Sequence, residues 1–210
     1  MIFFTKPLEK DYIMKNNEKN YYSQDYWFDN KGEHHEEDNY GENYYANTIF
    51  KNLILELDDV PEEGYIVVLG TNKCVSFSLL CDKFGEERCI GYDIYNPDNH
   101  PRVIVKDCMT LGEEDNIPIA FCHNDIGSYP TTPELKVYVQ KWAAKNVVEG
   151  GYFLGRNNLN RAKFKAEEYM NSLGFDNFQF EDLKKEYNLS GLTDSSIEGH
   201  MLSKRSKVKG

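Results

Sequence analysis

Short apolar runs alternate along the chain with longer stretches whose apolar residues return every three or four positions. Tyr65–Leu69 is the sharpest run. It stops at Gly70, and a polar turn leads into the pattern Val75, Phe77, Leu79, Leu80, Phe84. A run that breaks at a glycine and resumes with helical spacing predicts a parallel strand feeding a helix over 74–84. The rhythm then repeats. Arg88–Asp93 predicts a second strand and Arg102–Asp107 a third, each closing on a carboxylate; Ile117–Cys122 predicts a fourth, running into His123-Asn124-Asp125. Pro133–Val148 reads as a helix with Leu135, Val139, Trp142, Ala143 and Val147 on one face, opened by a first-turn proline and stopped by Gly150-Gly151. Tyr152–Leu154 predicts a fifth strand, followed by Gly155-Arg156-Asn157-Asn158. Leu159–Leu173 predicts a helix stopped by Gly174. Phe175–Phe180 and Ser196–Arg205 predict two last strands, joined closely enough to pair antiparallel.

Upstream, Tyr45, Ile49, Phe50, Leu53, Ile54 and Leu57 give 44–57 a single apolar helical face, ended by Asp58, Asp59 and Pro61. Strands alternating with helices imply an α/β fold: a doubly wound, mostly parallel sheet with helices on both faces, spanning residues 44–205. Residues 1–43 have another texture. They are rich in Asn, Glu and Lys, yet Tyr21, Tyr22, Tyr26, Trp27, Phe28 and Tyr40 recur. Two readings stand: an arm that packs its rings on the domain, with Tyr40, Tyr44 and Tyr45 as a candidate lid, or a solvated leader. His34-His35-Glu36-Glu37-Asp38 reads as a charged loop, since adjacent side chains diverge. Residues 206–210 read as a basic tail.

A chain of 210 residues has enough length for one sizeable core. Its net charge of −11 disfavours nucleic-acid partners, because phosphate binding needs a basic surface. Five cysteines, an odd number with no CxxC pair, read as buried free thiols of a reducing cytoplasm. No apolar run approaches the roughly 20 residues that span a bilayer. A soluble, cytoplasmic protein is expected, with its oligomeric state open.

In a doubly wound sheet the carboxyl ends of the strands open onto one crevice. Here they carry Gly70-Thr71, Asp93, Asp107, His123-Asn124-Asp125 and Asn157-Asn158. A carboxylate about 20 residues beyond the glycine turn is placed to accept both hydroxyls of a ribose. Asp93 answers to that. Asp107, one strand over, is placed to accept from an exocyclic amine. Together they predict a nucleoside-containing ligand.

These elements and strand ends resemble the class I S-adenosylmethionine-dependent methyltransferases over Tyr44–Arg205. Gly70-Thr71-x-x-Cys74-x-Ser76 is similar to the Gly-Thr-x-x-Gly-x-Ser turn of the macrocin O-methyltransferase and cephalosporin hydroxylase group. His123-Asn124-Asp125-Ile126-Gly127-Ser128-Tyr129 resembles that group's Asp-Gly-Asp-His-Ser-Tyr. Gly150–Asn158 resembles the Gly-Gly strand ending in Asp-Asn of catechol-type O-methyltransferases. The resemblance implies a class I (Rossmann-like) sheet of seven strands in the order 3-2-1-4-5-7-6. It implies S-adenosyl-L-methionine held by Leu69, Gly70, Thr71, Asn72, Ser76, Asp93, Ile94, Asp107, Cys108 and His123. His123 and Asp125 are its candidate bases, with His123 as a strand cap or cofactor contact the other reading; Asn124 and Asn158 are candidates to orient the acceptor.

The sequence departs from that pattern where Val68 replaces a carboxylate and where Asn72 and Cys74 replace glycines. His123 and Asn157 stand in place of metal-site aspartates, so a divalent cation would find little ligand charge and is not favoured. The expected activity is methyl transfer to a hydroxyl or amine of a small molecule. The alternative is a catalytically inactive domain of the same fold that serves as a binding module. A dinucleotide enzyme is disfavoured, since no GxGxxG follows the first strand.

Overall fold

The computed structural model describes residues 57–71, 75–96, 98–126, 133–156, 165–178 and 200–206. Among these residues ten regular elements follow one another. They are β1 (Tyr65–Leu69), α1 (Val75–Phe84), β2 (Cys89–Asp93), β3 (Val103–Val105) and β4 (Ile119–Asn124), then α2 (Pro133–Asn146), β5 (Val147–Arg156), α3 (Ala166–Ser172), β6 (Phe175–Phe178) and β7 (His200–Arg205). One seven-stranded sheet runs β3-β2-β1-β4-β5-β7-β6. The first five strands pair in parallel, and β7 lies antiparallel to both β5 and β6. The expected fold class and strand order therefore hold.

β1 is central because it is apolar on both faces, as a strand covered on both sides must be. Ile66 and Val68 meet Phe77 and Leu80 of α1 on one face. Val67 and Leu69 meet Val139 and Ala143 of α2 and Met170 of α3 on the other. Each such buried side chain contributes about 1.5–3 kcal/mol.

Two boundaries differ from the sequence reading. Gly150-Gly151 does not stop α2. The helix ends at Asn146, and both glycines lie within β5. Ile119 opposes Val147 while Phe121 opposes Tyr152, so β5 bulges there against β4. Gly150 takes a left-handed φ of 77°. A Cβ on Gly151 would lie 2.9 Å from the Ala120 carbonyl oxygen, so the close approach of backbones requires the glycine. β4 also runs further than expected, taking His123 and Asn124 into the sheet.

The link between β2 and β3 is too short for the usual crossover helix. Asn96 ties it, its Nδ2 donating to the His100 carbonyl (3.0 Å) and its Oδ1 accepting from the His100 N–H (2.9 Å). Arg102 then donates to the carbonyls of Cys89 and Glu87, both at 2.9 Å, and fixes the start of β3.

The arm over 1–43, the helix over 44–57 apart from Leu57, and Asn72, Cys74, Asn157, Asn158 and the tail beyond Ser206 lie outside the described residues. Among the described residues Cys89, Cys108 and Cys122 are buried free thiols, Cys81 is a half-buried one, and no His/Cys/Asp/Glu group is placed to hold a metal. No helix among them is long and apolar enough to cross a membrane.

Candidate functional site

The carboxyl ends of β1, β2, β3 and β4 assemble one edge of the molecule, and a glycine sets its geometry. Leu69 ends β1 in the core, and its carbonyl accepts from the Asp125 N–H at 3.0 Å. Gly70 then turns with φ 87°, a conformation that costs an L side chain steric strain. Its N–H donates to the Tyr92 carbonyl at 2.8 Å, which binds the turn to β2. Thr71 follows, only 3% exposed, with its Oγ1 lacking a hydrogen-bond partner among the described residues.

One strand over, Asp93 ends β2 half-buried. Its Oδ1 accepts from the Tyr95 N–H at 3.1 Å, and its carbonyl accepts from the Lys106 N–H at 2.7 Å. Ile94 beside it is half-buried. Asp107 lies beyond β3, where its Oδ1 caps a short 3-10 turn by accepting from the Met109 N–H at 2.9 Å. A side chain that binds its own backbone two residues on is held in one orientation. Both carboxylates are therefore set in place by the fold.

Cys108 reports that they converge. Its thiol is fully buried and donates to the Tyr92 carbonyl at 3.9 Å. Burial pushes the thiol well above its ordinary range, and the negative charges of Asp93 and Asp107 push it further. The nearby Gly70 backbone N–H pulls the other way. The cysteine therefore lies beneath the glycine turn and within the field of both acids. With its sulfur buried, any contact it makes to a ligand falls to its backbone.

His123 and Asn124 sit within β4 rather than in the turn after it. His123 is buried, in register between Val68 of β1 and Leu154 of β5. Strand alternation puts it on the face of Phe121, the α1 side of the sheet. Asn124 faces the other side, is 5% exposed, and has an Oδ1 without a hydrogen-bond partner among the described residues. Its Cβ is the neighbour of Gly155, opposite on β5. Asp125 is half-buried just past the strand. Ser76 is in the first turn of α1, and Asn72 falls outside the described residues.

The structure thus brings Leu69, Gly70, Thr71, Asp93, Ile94, Asp107, Cys108, His123 and Asp125 to one end of four adjacent strands. Two features lay outside the sequence reading. The backbone donors of Tyr95 and Met109 orient the acids, and an Asx-type spacing is their only sequence signal. Gly91, inside β2, lies against Thr71, as a Cβ on it would come within 2.5 Å of Thr71 Cγ2. Two carboxylates on neighbouring strand ends, beside a backbone turn that needs no side chain, suit a ligand with a pair of hydroxyls and an amine.

No protein-family model and no curated protein matches the chain. Solved structures align with it only loosely. The N-methyltransferase NodS from Bradyrhizobium japonicum aligns with a TM-score of 0.47 and 9% identity, covering 80% of this chain and 99% of that one. An S-adenosylmethionine-dependent methyltransferase from Clostridium acetobutylicum aligns at 0.46 and 13%, covering 78% and 92%. DesVI from Streptomyces venezuelae aligns at 0.41 and 14%, covering 52% of this chain and 49% of that one, so the match spans about half the length of that protein. At such identities and TM-scores these likenesses locate no site residue in this chain.

Proposed function

We propose that the protein is an S-adenosylmethionine-dependent methyltransferase acting on a hydroxyl or amine of a small molecule. One observation carries this reading: Asp93 and Asp107, each fixed by a backbone N–H, lie at the ends of the two strands on one side of the turn at Gly70. The residues present suit the nucleoside half of that cofactor. Asp93 would accept from the ribose hydroxyls and Asp107 from the exocyclic amine, while the turn at Gly70 lets backbone approach the ligand. The bound cofactor would supply an electrophilic methyl group on a sulfonium. The chain's part is to hold the two reactants in line and take up a proton. His123 within β4 and Asp125 just past it are the titratable groups nearest that end, and they are the candidate bases. Asn124, with a buried acceptor oxygen, would orient an N–H or O–H of the substrate. The net charge of −11 favours a neutral or cationic small molecule over nucleic acid. The Gly70-Thr71-x-x-Cys74-x-Ser76 turn supports a place nearest the macrocin O-methyltransferase and cephalosporin hydroxylase group.

A second reading has its own observation. Val68 stands where the resemblance implies a carboxylate, and it is 1% exposed within the α1-side core. One polar contact to the methionine end is thus replaced by packing, which favours a catalytically inactive domain of the same fold that has lost cofactor binding and serves as an interaction module. Calorimetry with S-adenosylhomocysteine, followed by radiolabelled methyl transfer to a small-molecule extract, separates the two. Binding with transfer supports the enzyme. No heat at millimolar ligand overturns the enzyme and leaves the interaction module.

A further inference from the structure

Gly91 has no place in the ligand contacts above, yet the strand around it is built on its lack of a side chain. It lies in the middle of β2, in register with Val68 of β1 and Val103 of β3. Glycine inside a strand weakens it, and usually marks a close approach of another group. The group here is Thr71. A Cβ at Gly91 would stand 2.5 Å from Thr71 Cγ2, 2.9 Å from Val103 Cγ2 and 3.5 Å from the Phe77 ring. The first of these is far inside van der Waals contact. The backbone φ of Gly91 is not left-handed, so conformation does not demand a glycine there. Space does.

Thr71 has little room to yield. It is buried, it is β-branched and so stiff at χ1, and it follows directly on Gly70, whose N–H is bonded to Tyr92, the residue after Gly91. A push on the Thr71 methyl would be passed to Gly70 and its bond to Tyr92. Val103 is different, since its side chain stands on the short edge strand β3.

We propose that Gly91 is a positioning residue for the turn at Gly70–Thr71, and that its missing side chain is the seat into which the Thr71 methyl packs. Through that seat β2 sets both walls of the nucleoside site at once: the turn on one side and, two residues on, Asp93 on the other. The effect on ligand affinity rests on the cofactor reading above; the seat itself does not.

The test is a set of four variants: Gly91→Ala, Thr71→Ser, Gly91→Ala with Thr71→Ser, and Gly91→Ala with Val103→Ala. Two quantities are read in the full chain: hydrogen exchange of the Gly70 amide, and calorimetric affinity for S-adenosylhomocysteine. Gly91→Ala is expected to speed exchange at Gly70 and weaken the ligand about tenfold or more. Adding Thr71→Ser, which removes the clashing methyl, is expected to return both to the values of Thr71→Ser alone. Adding Val103→Ala is expected to return neither. A general loss of packing would be relieved by either second change. Unaltered exchange in Gly91→Ala, or rescue by Val103→Ala and not by Thr71→Ser, overturns the proposal. Where the wild-type chain binds no S-adenosylhomocysteine, the cofactor reading falls, and exchange at Gly70 decides the seat by itself. Where Gly91→Ala does not fold, refolding restored by Thr71→Ser alone supports the seat, and its restoration by Val103→Ala instead, or by neither, overturns it.

Discussion

Asp93 and Asp107 each have one oxygen engaged by a nearby backbone N–H, from Tyr95 and Met109. That local bond is what allows charge to be separated from structure. In Asp93→Asn and Asp107→Asn the amide oxygen keeps accepting from the same N–H, so the turn survives while the anionic acceptor is lost. A hydrogen bond to a charged group contributes about 1.5–3 kcal/mol. Each variant is therefore expected to weaken S-adenosylhomocysteine about 10- to 100-fold in a calorimetric titration, with an unchanged urea midpoint. Equal affinity in wild type and both variants would remove the acids from the site. These two residues were legible from sequence because a carboxylate after an apolar run marks a strand's carboxyl end. His123 and Asn124 were read as just past the fourth strand, whereas they are its last two residues, for the opposite reason. A polar residue after Cys122 signals a strand end, but here both are buried within β4. Gly91 was silent, since a glycine in a strand carries no sequence mark of the methyl group packed against it.

At the scale of elements, the entry to β1 shows how one side chain secures a strand. Arg88, in the 3-10 turn just before β2, donates from its guanidinium to the carbonyls of Pro61 (2.7 Å) and Gly64 (3.1 Å). Those carbonyls belong to the bend that leads into β1, where Gly64 takes φ 98° and lies against Ala120. The planar fork reaches two acceptors at once, which an ammonium does not reproduce. Arg88→Ala is expected to lower the free energy of unfolding by about 1–3 kcal/mol, with Arg88→Lys recovering only part of it, as read from urea denaturation. A loss under half a kcal/mol (about the scatter of surface changes) would reduce the clamp to a surface contact. β1 itself matched its sequence reading from end to end, because five apolar residues between Gly64 and Gly70 leave no other register. β5 did not. Its glycines were read as a helix stop, the commoner use of a Gly pair after helical spacing. Their role as a bulge comes from the approach of Ala120, a residue distant in sequence.

Across the whole molecule, the segment before β1 is tied to the antiparallel edge by Asp59. Its Oδ1 accepts from the Tyr152 hydroxyl at 2.6 Å, its Oδ2 is paired with Lys204, and the Lys204 ammonium lies 4.9 Å from the Tyr152 ring centre. The clasp joins the lead-in to β1 with β5 and β7, elements that the sequence could order but not fasten together. Its charges give it a pH signature. Burial raises the Asp59 pKa, but the bonds from Lys204 and Tyr152 outweigh this and hold it below its ordinary 3.8. A depressed carboxylate stabilises the fold above its unfolded pKa, and the contribution is lost as pH falls through the folded value. Burial, and then the bond to Asp59, push Tyr152 up to about 12. Burial lowers Lys204, but Asp59 and Tyr152 more than offset it and raise it above its ordinary value of 10.5. Both groups hold their protons more tightly when folded, so their contribution is complete below pH 10 and fades toward 12. Asp59 is largely exposed, so solvent screens the pair and the effect is modest. Asp59→Asn is expected to lose stability at neutral pH and to converge on wild type below pH 3.8, once the carboxylate it replaces is itself protonated. The unfolding free energy, followed by urea titration at a series of pH values, checks this. A difference from wild type that stays constant from neutral to acid pH would show that Asp59 acts through its shape alone.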